Sequence, residues 1–167
     1  MDLPPYTYIP GGRHPHPIRE PGGHMHGRRH EQPPPIADEL GGTGSPAFDQ
    51  GKRLFEAGYY WEAHEAWESL WHAHGRTGPT ADLLKGLIKL AAAGVKVREG
   101  QPHGVRVHAA RAGDLFRAVR AAAGDRVLGL DLEHLIASAR VAEEVVAAPG
   151  LEPDGAAVAV FPFRLER

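Results

Sequence analysis

Three observations predict an all-α protein, a single up-and-down bundle of about five helices behind an extended Pro/Gly/His-rich leader. Ten of the 15 prolines and eight glycines fall in residues 1–46, whereas residues 47–148 hold only Pro79 and Pro102. Aromatic residues make up only 7% of a chain that is 42% hydrophobic, so the core must come mainly from Leu, Val, Ile and Ala. Close-packed helices use that mixture, while strands draw on β-branched and aromatic residues. Between 47 and 148 the apolar residues recur at helical spacing and are interrupted by glycine stops.

The leader, residues 1–46, cannot form regular helix, because each proline removes a donor and clashes with the preceding turn. Its apolar residues Leu3, Tyr6, Tyr8, Ile9, Ile18 and Ile36 give it material with which to dock on the domain. Residues 33–46 read as a plain linker. A first helix is expected over Phe48–Ala57, with Gly58 as its stop. The second covers residues 61–74, with Ala63, Ala66, Trp67, Leu70 and Trp71 on its apolar face. Glu62, Glu65, Ser69 and His72 lie away from that face.

Thr80 suits the N-cap of a third helix running to about Glu99. Lys85, Lys89, Ala92 and Lys96 form a narrow stripe on it, read as a solvated face. Nearly everything else on it is apolar or small, so it should be the central helix. Pro102 fits the first turn of a fourth helix reaching about Ala123. A fifth starts near Asp131 and ends before Pro149, and Ala156–Arg167 is expected to pack as an extended strip. The chain thus divides into a leader and linker (1–46), a helical domain (47–148) and a tail (149–167).

Composition also removes function classes. With no cysteine there is no disulfide scaffold, thiolate zinc site, iron–sulfur centre or cysteine nucleophile. A net charge of −2 speaks against nucleic acid as the partner. No apolar run approaches the ~18 residues that span a bilayer, and a membrane-surface role would want more basic charge. No secretory signal is visible, so the expected address is the cytoplasm. There is no glycine-rich phosphate loop and no G-x-S-x-G elbow.

The second helix carries the densest cluster of chemistry-bearing residues. His64 and Glu68 stand one turn apart at the border of the apolar face, beside Trp71, and can share one metal ion. Glu65 between them is the candidate acid–base group. The string His-Glu-x-x-Glu is similar to the zincin helix, but Glu68 stands where that motif needs a second histidine. A border histidine bonded to a carboxylate is the plainer reading. On the fourth helix, His108 falls in the stripe of Val105, Ala112, Leu115, Phe116 and Val119. Buried without a partner it would cost about 1–3 kcal/mol. His64, Glu65 or Glu68 should therefore supply that partner. Arg111 borders the same stripe and suits a carboxylate or a bound anion.

The leader adds His14-x-His16 and His24-x-His26, whose paired rings point the same way in extended chain. His16, His24 and His26 are the further ligand candidates, for a divalent transition metal such as zinc. A solvated histidine-rich tail is the alternative.

The string Phe48-Asp49-x-Gly51, the segment EAGYYWEAHEAWESLW (56–71) and the segment GLIKLAAAGVKVREGQPHG (86–104) stand in a specific order. His108, Arg111, Ala112 and Leu115–Phe116 continue it. In these the chain resembles the bacterial and archaeal domain of unknown function 309 family over roughly residues 47–120. The leader, with its PGG, HPHPI and PGGH, is similar to one carried by a subset of members. Gln101 departs from the Asn that members often have there. The resemblance implies a compact helical bundle and no function.

Two readings of function follow. The first is a non-catalytic helical module that binds a protein partner or self-associates, preferred because core histidines are common and the metal motif is incomplete. The second is a metal-binding, hydrolase-like protein whose site forms where His64, Glu65 and Glu68 meet His108, closed by leader histidines.

Overall fold

The computed structural model describes residues 2–37, 45–146 and 155–167. Five helices carry the core: α1 (Pro46–Glu56), α2 (Tyr60–Ala73), α3 (Pro79–Arg98), α4 (Pro102–Ala123) and α5 (Leu132–Glu143). Each packs on the next in sequence, and the connections between the first four are only three to five residues long, which makes neighbours antiparallel. The expected all-α bundle is therefore the observed one. The middle of the linker and the start of the tail, with the boundary assigned at 148/149, lie outside the described residues, while α1 opens at Pro46, the last residue assigned to the linker. The fifth helix, expected to end before Pro149, stops at Glu143.

Local chemistry sets each start. The Ser45 hydroxyl accepts from the Phe48 N–H at 3.3 Å, with Pro46 in the first turn of α1. Asp131 caps α5 by accepting from the His134 N–H at 3.0 Å, and that bond holds its carboxyl below the usual range. The expected Thr80 cap is corrected. Gly78 takes the cap position at φ 95° with Pro79 first in the helix, and Thr80 is buried. A proline in the first turn pre-sets the helical φ, so the start moves upstream of Thr80.

α3 is the central helix, flanked by α2 on one side and α4 on the other. Small residues allow the approach. A Cβ at Gly94 would meet the Tyr60 ring and one at Gly86 the Phe116 ring. Between α4 and α5 the chain makes a two-stranded hairpin that the sequence reading lacked, β1 (Arg126–Val127) paired with β2 (Leu130–Asp131). Its turn places Leu128 and Gly129 at φ 51° and 76°, the double left-handed geometry of a tight hairpin. Burial of the Leu128 side chain offsets the strain of that conformation.

The two non-helical ends clothe the bundle. Tyr6, Thr7 and Ile9 of the leader are buried, and the Tyr59 hydroxyl donates to the Pro4 carbonyl at 3.0 Å. The stretch read as a plain linker also engages, because Ile36 is buried and its N–H donates to His74 Nε2 at 3.0 Å. The tail buries Phe161 and Leu165 and stays extended. Its Val160 N–H donates to the Tyr60 hydroxyl at 2.9 Å, and burial pushes that phenol up to about 12. No described helix is long and apolar enough to cross a membrane.

Candidate metal centre

α2 turns Ala63, Trp67 and Leu70 into the core, and its half-buried flank carries His64, Glu65, Glu68 and Trp71. Residues at i and i+4 fall on one side of a helix, which brings His64 and Glu68 together, and Glu65 reaches the same space from the adjoining side. One ligating atom from each of the three lies within 4.8 Å of the other two. Two zinc–ligand bonds of ~2.0–2.2 Å in line would span about 4.2 Å, so small side-chain rotations close the set. His64 Nδ1 is shielded from solvent and has no hydrogen-bond partner. The nearest carboxylate oxygen, Oε1 of Glu65, stands 3.5 Å away. A buried acceptor or donor without a partner is costly, and a bound cation is one way to satisfy it.

The third helix borders this flank. Lys85, Lys89, Ala92 and Lys96 are half-buried rather than solvated, because α2 and α4 stand on either side of them while scarcely touching each other. The stripe is thus the floor of a groove. The Lys85 ammonium lies 5.7 Å from the centre of the Trp71 ring. At the other end, the Lys96 stem runs against Gly104, one turn before His108.

His108 departs from expectation. It is half-buried at the edge of the α4 stripe, and no described group hydrogen-bonds its ring. Val105, Ala109, Ala112 and Phe116 centre the buried face, which rotates His108 to the border. Burial holds its pKa below the ordinary histidine value, helped by the charges of Lys89, Lys96 and His64. No direct bond joins His64 and His108, and His108 is not part of the three-residue cluster. Arg111 is exposed on the rim, one turn further along α4.

Glu62 is the residue that the sequence reading misplaced. It was expected on the outer face, yet it is only 4% exposed. Thr7 Oγ1 donates to its Oε2 at 2.8 Å and the Tyr8 N–H to its Oε1 at 2.9 Å, with His24 Nε2 at 3.2 Å from the same oxygen. The covering leader supplies these donors. A helical projection of α2 alone contains no trace of them. The one available signal is a proline-rich leader that cannot satisfy its backbone donors in a regular helix.

The leader histidines are engaged in the same packing. His14 stacks on Tyr6 and His16 tilts against Tyr8, with His16 also edge-on to Trp61. His16 Nδ1 accepts from the N–H groups of Ile18 and Arg19 at 3.2 and 3.3 Å. His24 meets the Tyr6 ring edge-on, and His26 Nδ1 lies 2.9 Å from the Ile18 carbonyl oxygen. None joins the α2 triad. Between leader, α1 and α2 lies a cavity of about 510 Å³ whose lining includes His24, Arg28, His30, Glu62 and Glu65. Glu65 thus belongs to the triad and also lines that cavity.

Comparison with known proteins adds one match. The family model described as a domain of unknown function (DUF309) covers residues 48–107. The triad and the lysine stripe fall within that span, and His108 follows it directly. No curated protein matches the chain.

Proposed function

We propose that this chain, whose residues 48–107 match the DUF309 family model, is a metal-binding protein whose centre is His64, Glu65 and Glu68. The observation that carries the reading is the convergence of one ligand atom from each of the three residues, together with a His64 Nδ1 that is shielded from solvent and unpartnered. Imidazole with two carboxylates suits zinc and related divalent transition ions. Three protein ligands leave a position for water or substrate, the pattern of reactive rather than closed structural zinc. Glu65, weighed from the sequence as an acid–base group, serves here as a ligand.

The partner-binding module draws less support. Among the described residues the exposed large apolar side chains are Leu3, Val107, Val141 and Val146. They come from the leader, from two helices and from beyond α5, and residues so placed need no partner to explain them. The cytoplasmic address expected from the sequence remains part of the proposal.

The test is zinc uptake by full-length protein purified without a tag, measured by equilibrium dialysis and elemental analysis. About one zinc per chain is expected. His64→Ala and Glu68→Gln should each weaken binding at least ~10-fold, because even the loss of an outer-shell partner that orients a ligand costs about that much. The apo melting temperature should barely move. Zinc retained by both variants would place the ion elsewhere, with the leader histidines first in line, and the proposal would fail.

A further inference from the structure

We propose that the zinc-loaded centre binds a phosphate-type dianion, held between the metal and the lysines on the floor of the α2–α4 groove. This rests on the metal reading above and extends it to the class of ligand. Charge balance carries the argument. A divalent ion held there would be neutralised by the carboxylates of Glu65 and Glu68. Lys85 and Lys89 then remain, half-buried, with no carboxylate within ion-pair distance among the described residues. Lys96, by contrast, is paired with Glu99 at 3.1 Å. Two uncompensated positive charges beside an ion with open positions call for a ligand carrying two negative ones.

Geometry agrees with the charge count. Lys85 sits over Trp71, three residues along α2 from Glu68, so its ammonium borders the triad side of the groove. His108 stands half-buried on α4, the opposite wall, where its ring can donate to an anion. Arg111 on the rim has the planar fork that grips phosphate oxygens in pairs. A phosphate monoester is a dianion above about pH 6, and its oxygens can engage the metal and the cations together. The ligand could be free phosphate or the phosphoryl group of a larger molecule, and two probes separate these sources.

The experiment is calorimetric titration of full-length protein carrying stoichiometric zinc, first with inorganic phosphate and then with phenyl phosphate. Saturable one-to-one binding is expected. Tighter inorganic phosphate assigns the site to the free ion, and tighter phenyl phosphate assigns it to a phosphoryl group on a larger body. The double variant K85Q/K89Q should bind the preferred probe at least ~10-fold more weakly while taking up zinc as before, which also shows that it is folded. K85R/K89R should restore binding. If zinc binds and neither probe does at millimolar concentration, this inference is overturned alone. Equal binding by K85Q/K89Q overturns it too. Failure to bind zinc at all sinks the metal centre and this inference with it.

Discussion

A carboxylate on a helix flank can be buried only when something outside the helix provides its donors, and Glu62 receives three from the leader. His64, Glu65 and Glu68 were legible as a cluster because their proximity is set inside one helix. Glu62 was not, because its partners lie 38 to 55 positions away in the chain. His108 falls between these cases. Its helix was evident, but its rotation depends on how α3 and α5 share the apolar face of α4. Its titration gives a residue-level prediction. The folded pKa is lowered, so on acidification the unfolded chain takes the proton first. The stabilisation is complete above the ordinary value of ~6.5 and is lost as pH falls through the folded value. His108→Gln should therefore flatten the decline in urea stability between about pH 7 and pH 5. An unchanged slope would mean that neither burial nor the charges of Lys89, Lys96 and His64 hold this ring's pKa down.

At the scale of elements, glycine stops and proline starts made the helices readable, and the errors came from ends and faces. Pro79 displaced Thr80 as the start of α3. The hairpin at 126–131 escaped notice because Leu128 is an improbable residue at positive φ, tolerated only because its side chain is buried. The lysine stripe was taken for a solvated face because a single helix does not reveal what stands beside it. One close approach invites a direct test. Gly51 of α1 faces the Trp67 indole so closely that an added Cβ would overlap its Nε1 edge. Trp67 is fully buried and its Nε1–H donates to the Phe48 carbonyl at 3.4 Å. Gly51→Ala should therefore destabilise by about 1–3 kcal/mol despite its better helix propensity. Urea unfolding measures this, and a stabilised variant would show that α1 and α2 can move apart freely.

Over the whole molecule, the bundle is covered by two extended straps from the chain ends. Tyr6, Ile9, Phe161 and Leu165 are buried by that arrangement, and Arg98 of α3 donates to the Ala156 carbonyl at 2.6 Å. Removing residues 2–30 should uncover Glu62 and lower the melting temperature by at least ~5 °C, since a loss of ~2 kcal/mol shifts a chain this size by about 4–8 °C. Thermal melts check the figure. Hydrogen exchange at the Tyr8 amide checks the cause, and free exchange there in the intact protein would contradict a docked leader.

The straps also meet each other. The Thr7 N–H donates to the Gly155 carbonyl at 2.9 Å, and a Cβ at Gly155 would strike the His14 ring. Contacts between successive helices close short loops and form quickly, whereas this one joins positions nearly a chain length apart and must bear the closure entropy of everything between. The helices can therefore assemble before the ends cross. A cavity that includes Glu65 acquires its outer wall only as the last long-range contacts of folding are made.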